Sequence, residues 1–154
     1  MIYFKIILIE NLDNFKINQE ILLKIKTLLK PNGELIVAIN NKYGISYFAG
    51  KNYNDYNIFA TIENDVLFSK NEIESLLKKS GYENLYFYYP IPNYVLANEI
   101  YSDDFLPKYK ELNNVNLTIE KDRYVLFNED KALNEAINTG DFSTFANSYL
   151  IRCK

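Results

Sequence analysis

The stretch Leu29-Lys30-Pro31-Asn32-Gly33-Glu34-Leu35-Ile36-Val37-Ala38-Ile39-Asn40-Asn41-Lys42-Tyr43-Gly44 constrains the chain more than any other. It reads as the end of a helix, a tight turn, a buried strand and a polar loop at that strand's carboxyl end. Pro31 cannot continue a helix, and it pushes Lys30 out of the α region. Asn32-Gly33 supplies turn chemistry that points the chain back. Leu35 to Ile39 is an unbroken apolar run, which suits a strand covered on both faces, as in a parallel sheet. Asn40-Asn41-Lys42-Tyr43-Gly44 then falls just beyond the carboxyl end of the strand, where open α/β sheets hold their ligands.

The segments on either side fit one βαβ unit. Tyr3 to Ile9 reads as a nearly continuous apolar strand, with Glu10 to Asn14 as its carboxyl-end loop. Asn18 caps a helix of about a dozen residues whose apolar stripe is Ile21, Leu22, Ile25, Leu28 and Leu29. Strand, helix and strand of these lengths make a right-handed crossover with the two strands parallel.

Ile45 to Leu67 has no clean period, and Tyr47, Phe48, Tyr53, Tyr56 and Phe59 are spread through it. It reads as a long irregular insertion, an ordered loop or lid packed by its aromatics. Ser69-Lys70-Asn71-Glu72 is a capping box opening a second helix, with Ile73, Leu76 and Leu77 inward and Gly81 as its stop. Asn84 to Tyr89 reads as a third strand ended by Pro90-Ile91-Pro92. Asn93 to Asn128 shows only a short turn at Asp103 to Lys108, and a strand or packed extended piece at Arg123 to Phe127. Glu129 to Asn138 reads as a helix ending before Gly140. Asn147 to Cys153 alternates and reads as a final strand, antiparallel to the third. With no repeat, linker or boundary, residues 1–154 are expected to form a single domain.

Composition removes several classes of function. A net charge of −3 and a pI near 5.1 argue against a nucleic-acid surface. No apolar run approaches the roughly 18 residues of a membrane span, and Met1 to Lys5 is not a signal peptide, so the expected location is the cytoplasm with no membrane partner. Cys153 is the only cysteine, which leaves no disulfide framework and no thiolate zinc cluster; it reads as a packed or solvated thiol. The absence of histidine removes the Ser-His-Asp and Cys-His mechanisms and histidine metal ligands, and no metal is expected. Lysine and asparagine are abundant throughout, so either counts only by its position.

By position, Asn40 and Asn41 are candidates to bind substrate hydroxyls at the sheet's carboxyl edge; the alternative is ordinary turn chemistry. Tyr43, Tyr47 and Phe48 either wall a sugar or cofactor pocket or pack a long loop. Asp103 and Asp104 are a carboxylate pair for metal or acid–base work, or a solvated turn; with no other ligand cluster nearby the turn is favoured. Tyr86, Tyr88, Tyr89, Tyr94 and Tyr101 form a stacking surface for sugars or are buried in strand and loop. No catalytic residue can be named.

Leu29-Lys30-Pro31-Asn32-Gly33 leading into Glu34-Leu35-Ile36-Val37 resembles a signature of class I S-adenosylmethionine-dependent methyltransferases, the turn into their fifth strand. Phe68-Ser69-Lys70-Asn71-Glu72-Ile73 and Leu76-Leu77-Lys78-Lys79-Ser80-Gly81-Tyr82 resemble the helix that follows. The run from Asn40 to Gly50, Tyr88 to Tyr94, Ile100 to Pro107 and Phe145 to Leu150 look like a subgroup associated with bacterial polysaccharide and glycosyltransferase systems.

On this resemblance Tyr3 to Ile9 is the fourth strand, and the chain is the carboxyl-terminal half of the fold, with the amino-terminal cofactor-binding half absent. The family's glycine-rich loop and ribose-binding acid have no counterpart among its residues. The implied fold is α/β: a partial Rossmann-like sheet, mostly parallel, with an antiparallel carboxyl-terminal strand. Its implied order is Tyr3–Ile9, Glu34–Asn40, Asn147–Cys153, Asn84–Tyr89. The implied cofactor is S-adenosylmethionine (SAM), touched at its methionine end by Glu10 and Asn11, although Glu10 stands where the subgroup usually has a small residue. Asp13, in the same loop, either orients substrate or acts as a base, or is a solvated loop carboxylate. The implied activity is methyl transfer to a sugar, glycan-linked or small-molecule acceptor, by an enzyme or its substrate-side half. The alternative is a non-catalytic accessory or relic domain that binds a partner. Ile6, Ile7, Leu8 and Ile9 are not edge-strand residues, so the 3–9 edge is expected to be covered by a second copy or by a separate chain carrying the cofactor half.

Overall fold

A computed structural model describes residues 4–10, 17–49, 67–113 and 126–154. Its elements in chain order are β1 (Phe4–Glu10), α1 (Gln19–Leu28), β2 (Leu29–Asn40), α2 (Ile45–Phe48), α3 (Lys70–Lys79), β3 (Leu85–Ile91), β4 (Glu99–Ser102), α4 (Glu129–Thr139), α5 (Phe142–Phe145) and β5 (Ser148–Cys153). The strands form one sheet in the order β1-β2-β5-β3-β4. Its first four places are the order expected from the sequence.

β1 runs parallel to β2, as the crossover requires, while β5 is antiparallel to both β2 and β3. The reversal of β5 is the one expected, and the departure from the expected sheet is β4, a second reversed strand. β1, β2 and β3 point the same way, but the reversed β5 lies between β2 and β3, and β4 also pairs antiparallel with β3. The only parallel neighbours among the named strands are β1 and β2.

Local chemistry sets the element ends. The Asn18 side chain accepts from the Ile21 amide at 2.9 Å and starts α1. Ser69 and Glu72 close both bonds of the capping box on α3. Gly81 and Gly140, both at φ 85°, turn the chain past α3 and α4. The Pro31–Gly33 turn does not separate α1 from β2 as expected. Leu29 already pairs with Phe4, the register shifts, and pairing resumes at Ile6 and Glu34. Asn32 at φ 63° absorbs the shift. Gly33 is required there, because a Cβ would stand 2.9 Å from the Lys30 carbonyl oxygen.

Two other boundaries differ from the sequence reading. β3 continues through Pro90 to Ile91, with Pro90 opposite Ile100 on β4. β4 itself has no clear signal, being four residues long with an exposed isoleucine. The insertion contributes the single turn α2, and Tyr53, Tyr56 and Phe59 lie outside the described residues. Residues 123–125 also lie outside them, and Leu126–Phe127 is not strand.

The core lies on one face. Leu35, Val37 and Ile39 of β2, Tyr149, Ile151 and Cys153 of β5, and Phe87, Tyr89 and Ile91 of β3 meet Leu22 and Ile25 of α1, Ile73 and Leu77 of α3, Leu133 of α4 and Phe142 of α5. We call this the odd face. The opposite, even face carries Ile6, Leu8, Ile36, Leu150, Arg152, Tyr86, Tyr88 and Ile100, none of which belongs to that cluster.

Candidate functional site

β1, β2 and β3 end, and β4 and β5 begin, along the same edge of the sheet. Asn41 sits at its centre and is fully buried. Its Nδ2 donates to the carbonyls of Thr144 and Ala146, each at 2.7 Å, and its Oδ1 accepts from the Tyr43 amide at 3.0 Å. Asn147 answers from the start of β5: its Oδ1 accepts from the Ser46 amide at 2.9 Å and its Nδ2 donates to the Pro92 carbonyl at 3.0 Å. The Asn41 amide also donates to the Asn147 carbonyl at 3.0 Å. Two asparagines thus tie together the end of β2, the start of α2, the α5–β5 joint and the turn after β3. Each amide group is spent inside the protein, so Asn41 frames the edge rather than offering a free hydrogen-bonding group.

Asn40, the neighbouring candidate, is half-buried on the even face opposite Ser148. The Ser148 hydroxyl is buried and finds no hydrogen-bond partner among the described residues. Tyr47 is buried and Tyr43 half-buried, with the Lys42 ammonium 5.9 Å from the Tyr43 ring centre. Lys42 also pairs with Glu72 at 3.0 Å, joining the β2 loop to the first turn of α3. Phe48 packs edge-on against Phe145. The edge therefore brings Asn40, Asn41, Tyr43 and Tyr47 into one neighbourhood. Glu10 ends β1 with its backbone opposite Ala38, and Asn11 and Asp13 lie outside the described residues.

A second cluster was not foreseen. The Lys70 ammonium, at the start of α3, donates to the Tyr89 hydroxyl at 2.7 Å and pairs with Asp103 at 2.8 Å, while the Tyr89 hydroxyl donates to the same carboxylate. Lys70 also lies over the rings of Phe87 and Tyr89. Burial, followed by the bond to Asp103, pushes the Tyr89 hydroxyl well above the ordinary phenol range. Tyr89 is fully buried, so this network pins α3 to β3 and to the turn after β4. Asp103 is thus paired with Lys70 and Tyr89 rather than simply solvated. Nothing local in the sequence joins Lys70 to a residue so far along the chain. Asn147 was likewise missed, although a polar residue just before a buried strand is a signal for a structural amide.

The described residues do not by themselves fit SAM. Gly44, the glycine at this edge, already has Asn147 Cα at 3.0 Å from where a Cβ would lie, so its close approach serves the protein and leaves no cradle. Among the described residues no group of acids, cysteines or histidines could hold a metal ion, and no helix is long and apolar enough to cross a membrane.

No protein-family model matches this sequence, and no curated protein matches it. Among solved structures it is similar to a SAM-dependent methyltransferase from Thermotoga maritima, described as a "possible histamine N-methyltransferase". The TM-score is 0.53 at 15% identity, over 97% of this chain and 55% of the other. The likeness is one of fold: this chain has the fold of part of a SAM-dependent methyltransferase, and it spans little more than half the length of that structure.

Proposed function

We propose that these residues form the acceptor side of a SAM-dependent methyltransferase acting on a small-molecule or glycan-linked acceptor in the cytoplasm. The observation that supports this reading best is the sheet: order β1-β2-β5-β3, β1 parallel to β2, β5 reversed, and a polar edge at Asn40 to Tyr47. SAM supplies an electrophilic methyl group when bound. Transfer of that methyl demands alignment more than a strong base, so a chain without histidine is not disqualified. The part taken by these residues is to shape the acceptor side of the pocket. Asn40 and Tyr43, both half-buried, offer a polar group and ring surface there, while Tyr47 and Ser148 are buried and frame that edge. The cofactor side, including the roles expected of Glu10, Asn11 and Asp13, is completed by residues beyond those described.

A non-catalytic accessory role is favoured by one observation: Asn41 and Gly44 are consumed by internal packing. Calorimetric titration with SAM separates the two readings. The methyltransferase reading expects saturable binding once the cofactor side is present. Absence of binding with that side present overturns it.

A further inference from the structure

We infer that the segment from Asp104 to Lys110, at the opposite side of the sheet from β1, is an interface through which two copies of this chain pair about a two-fold axis. The inference does not depend on the acceptor-side reading above.

The segment reads Asp104-Phe105-Leu106-Pro107-Lys108-Tyr109-Lys110: an acid, an apolar centre, then two lysines. The structure turns that order outward. Phe105, Leu106 and Tyr109 are 65%, 43% and 49% exposed, and Asp104, Lys108 and Lys110 are exposed as well. Single exposed apolar side chains are ordinary on any protein surface. Three within five residues, with Ile100 also 55% exposed on β4, make a patch of the kind that marks an interaction site.

The patch is held in shape before any partner arrives. The Phe105 amide donates to the Ser102 carbonyl at 3.1 Å, its carbonyl accepts from the Ser102 amide at 3.0 Å, and its ring stacks on Tyr101. The Lys110 amide donates to the Asn134 Oδ1 at 2.6 Å, holding Lys110 in the left-handed region at φ 67°. The other end of the Asn134 amide donates to the carbonyls of Leu112 and Asp130. A surface fixed in this way has less conformational freedom to lose on pairing.

Charge selects the occupant. Among the described residues neither Asp104 nor Lys108 has an ion-pair partner, whereas Asp103 is already held by Lys70. A two-fold axis at Leu106 runs the two segments antiparallel and sets Leu106 against its own image. The same operation brings Asp104 of each copy to Lys108 of the other. The chain's own undescribed stretches match this pattern less well. Residues 50–66 hold one lysine followed by three acids, the reverse of the order an antiparallel partner needs. Residues 114–125 alternate their charges through Glu120, Lys121, Asp122 and Arg123. Residues 11–16 carry one acid and one lysine three positions apart, against the four that separate Asp104 from Lys108.

Sedimentation of the full chain over a range of concentrations tests the pairing. The mass should rise from one chain towards two, with a dissociation constant on the order of micromolar, and added salt should weaken it. Asp104→Lys and Lys108→Asp should each weaken pairing about tenfold, and both together in one chain should restore it, because the exchanged charges again face each other. Both residues are exposed, so these variants should melt as the parent does. Leu106→Asp should weaken pairing about a hundredfold. A chain that stays a monomer at about 1 mM overturns the proposal, whether the segment stays bare or residues 114–125 lie over it. A dimer that neither single charge variant weakens, or that the double variant fails to restore, overturns it too.

Discussion

Replacing Asn41 by alanine tests how the carboxyl edge is held. The side chain is fully buried and makes three hydrogen bonds, to the carbonyls of Thr144 and Ala146 and from the amide of Tyr43. Alanine leaves all three backbone groups without their partner. A stranded buried polar group costs about 1–3 kcal/mol, and the Thr144 and Tyr43 bonds are only partly buried, so the expected loss is about 3–5 kcal/mol. For a chain of 154 residues each kcal/mol lowers the melting temperature by about 2–4 °C, so Tm should fall by about 6–20 °C. The chain has no tryptophan, so urea unfolding is followed by far-ultraviolet circular dichroism. Asn40→Ala is the control. Asn40 is half-buried and should cost less than about 1 kcal/mol. Asn41→Asp should be worse than alanine at neutral pH, because a carboxylate would face two carbonyl oxygens. Burial and those oxygens would raise its folded pKa above the unfolded value, so this variant should recover stability as pH falls through that range. An Asn41→Ala loss below about 1 kcal/mol would refute the view that this amide holds the edge together.

Four further outcomes follow from the packing. Leu77→Ala, at a fully buried position between α3 and the sheet, should cost about 2–5 kcal/mol in urea unfolding. Tyr82→Phe removes the hydroxyl that donates to the Leu22 carbonyl at 3.1 Å, and should cost about 1 kcal/mol while leaving the circular dichroism spectrum unchanged. The Glu72 carboxyl is pushed up by partial burial, but the bonds from the Ser69 amide, Lys42 and the Ser69 hydroxyl outweigh this and hold it below its usual value. A depressed folded pKa gives stability that is present above the unfolded value and lost as pH falls through the folded one, so thermal melts of Glu72→Gln should lose less stability on acidification than the parent. Burial pushes the Cys153 thiol up to about 12, so a thiol reagent at neutral pH should label it only as fast as the chain unfolds.

The sequence made the frame legible where local chemistry and fold agree. Asn18, the Ser69–Glu72 box, Gly81 and Gly140 each act through residues within a few positions of themselves, and each marks an element end in the structure. The unbroken apolar run of Leu35 to Ile39 and the alternation of Asn147 to Cys153 placed β2 and β5. β4 was invisible because its pairing partner, not its own pattern, makes it a strand. Pro90 reads as a stop after Tyr89, but pairing on the β4 side carries the strand two residues further, to Ile91. The site was less legible. Asn41 has the location of a ligand residue, yet its partners lie more than a hundred residues away, and only tertiary structure shows them to be protein carbonyls. Asp103 likewise looked like a free turn acid until Lys70 was brought beside it.

The direction of β1 against β2 carries the family reading, and cross-strand proton–proton contacts measured by nuclear magnetic resonance test it most directly. The account expects contacts stepping in the same sense along both strands, from Ile7 with Leu35 to Leu8 with Ile36. Contacts that step in opposite senses, or a β1 that contacts some strand other than β2, would contradict it.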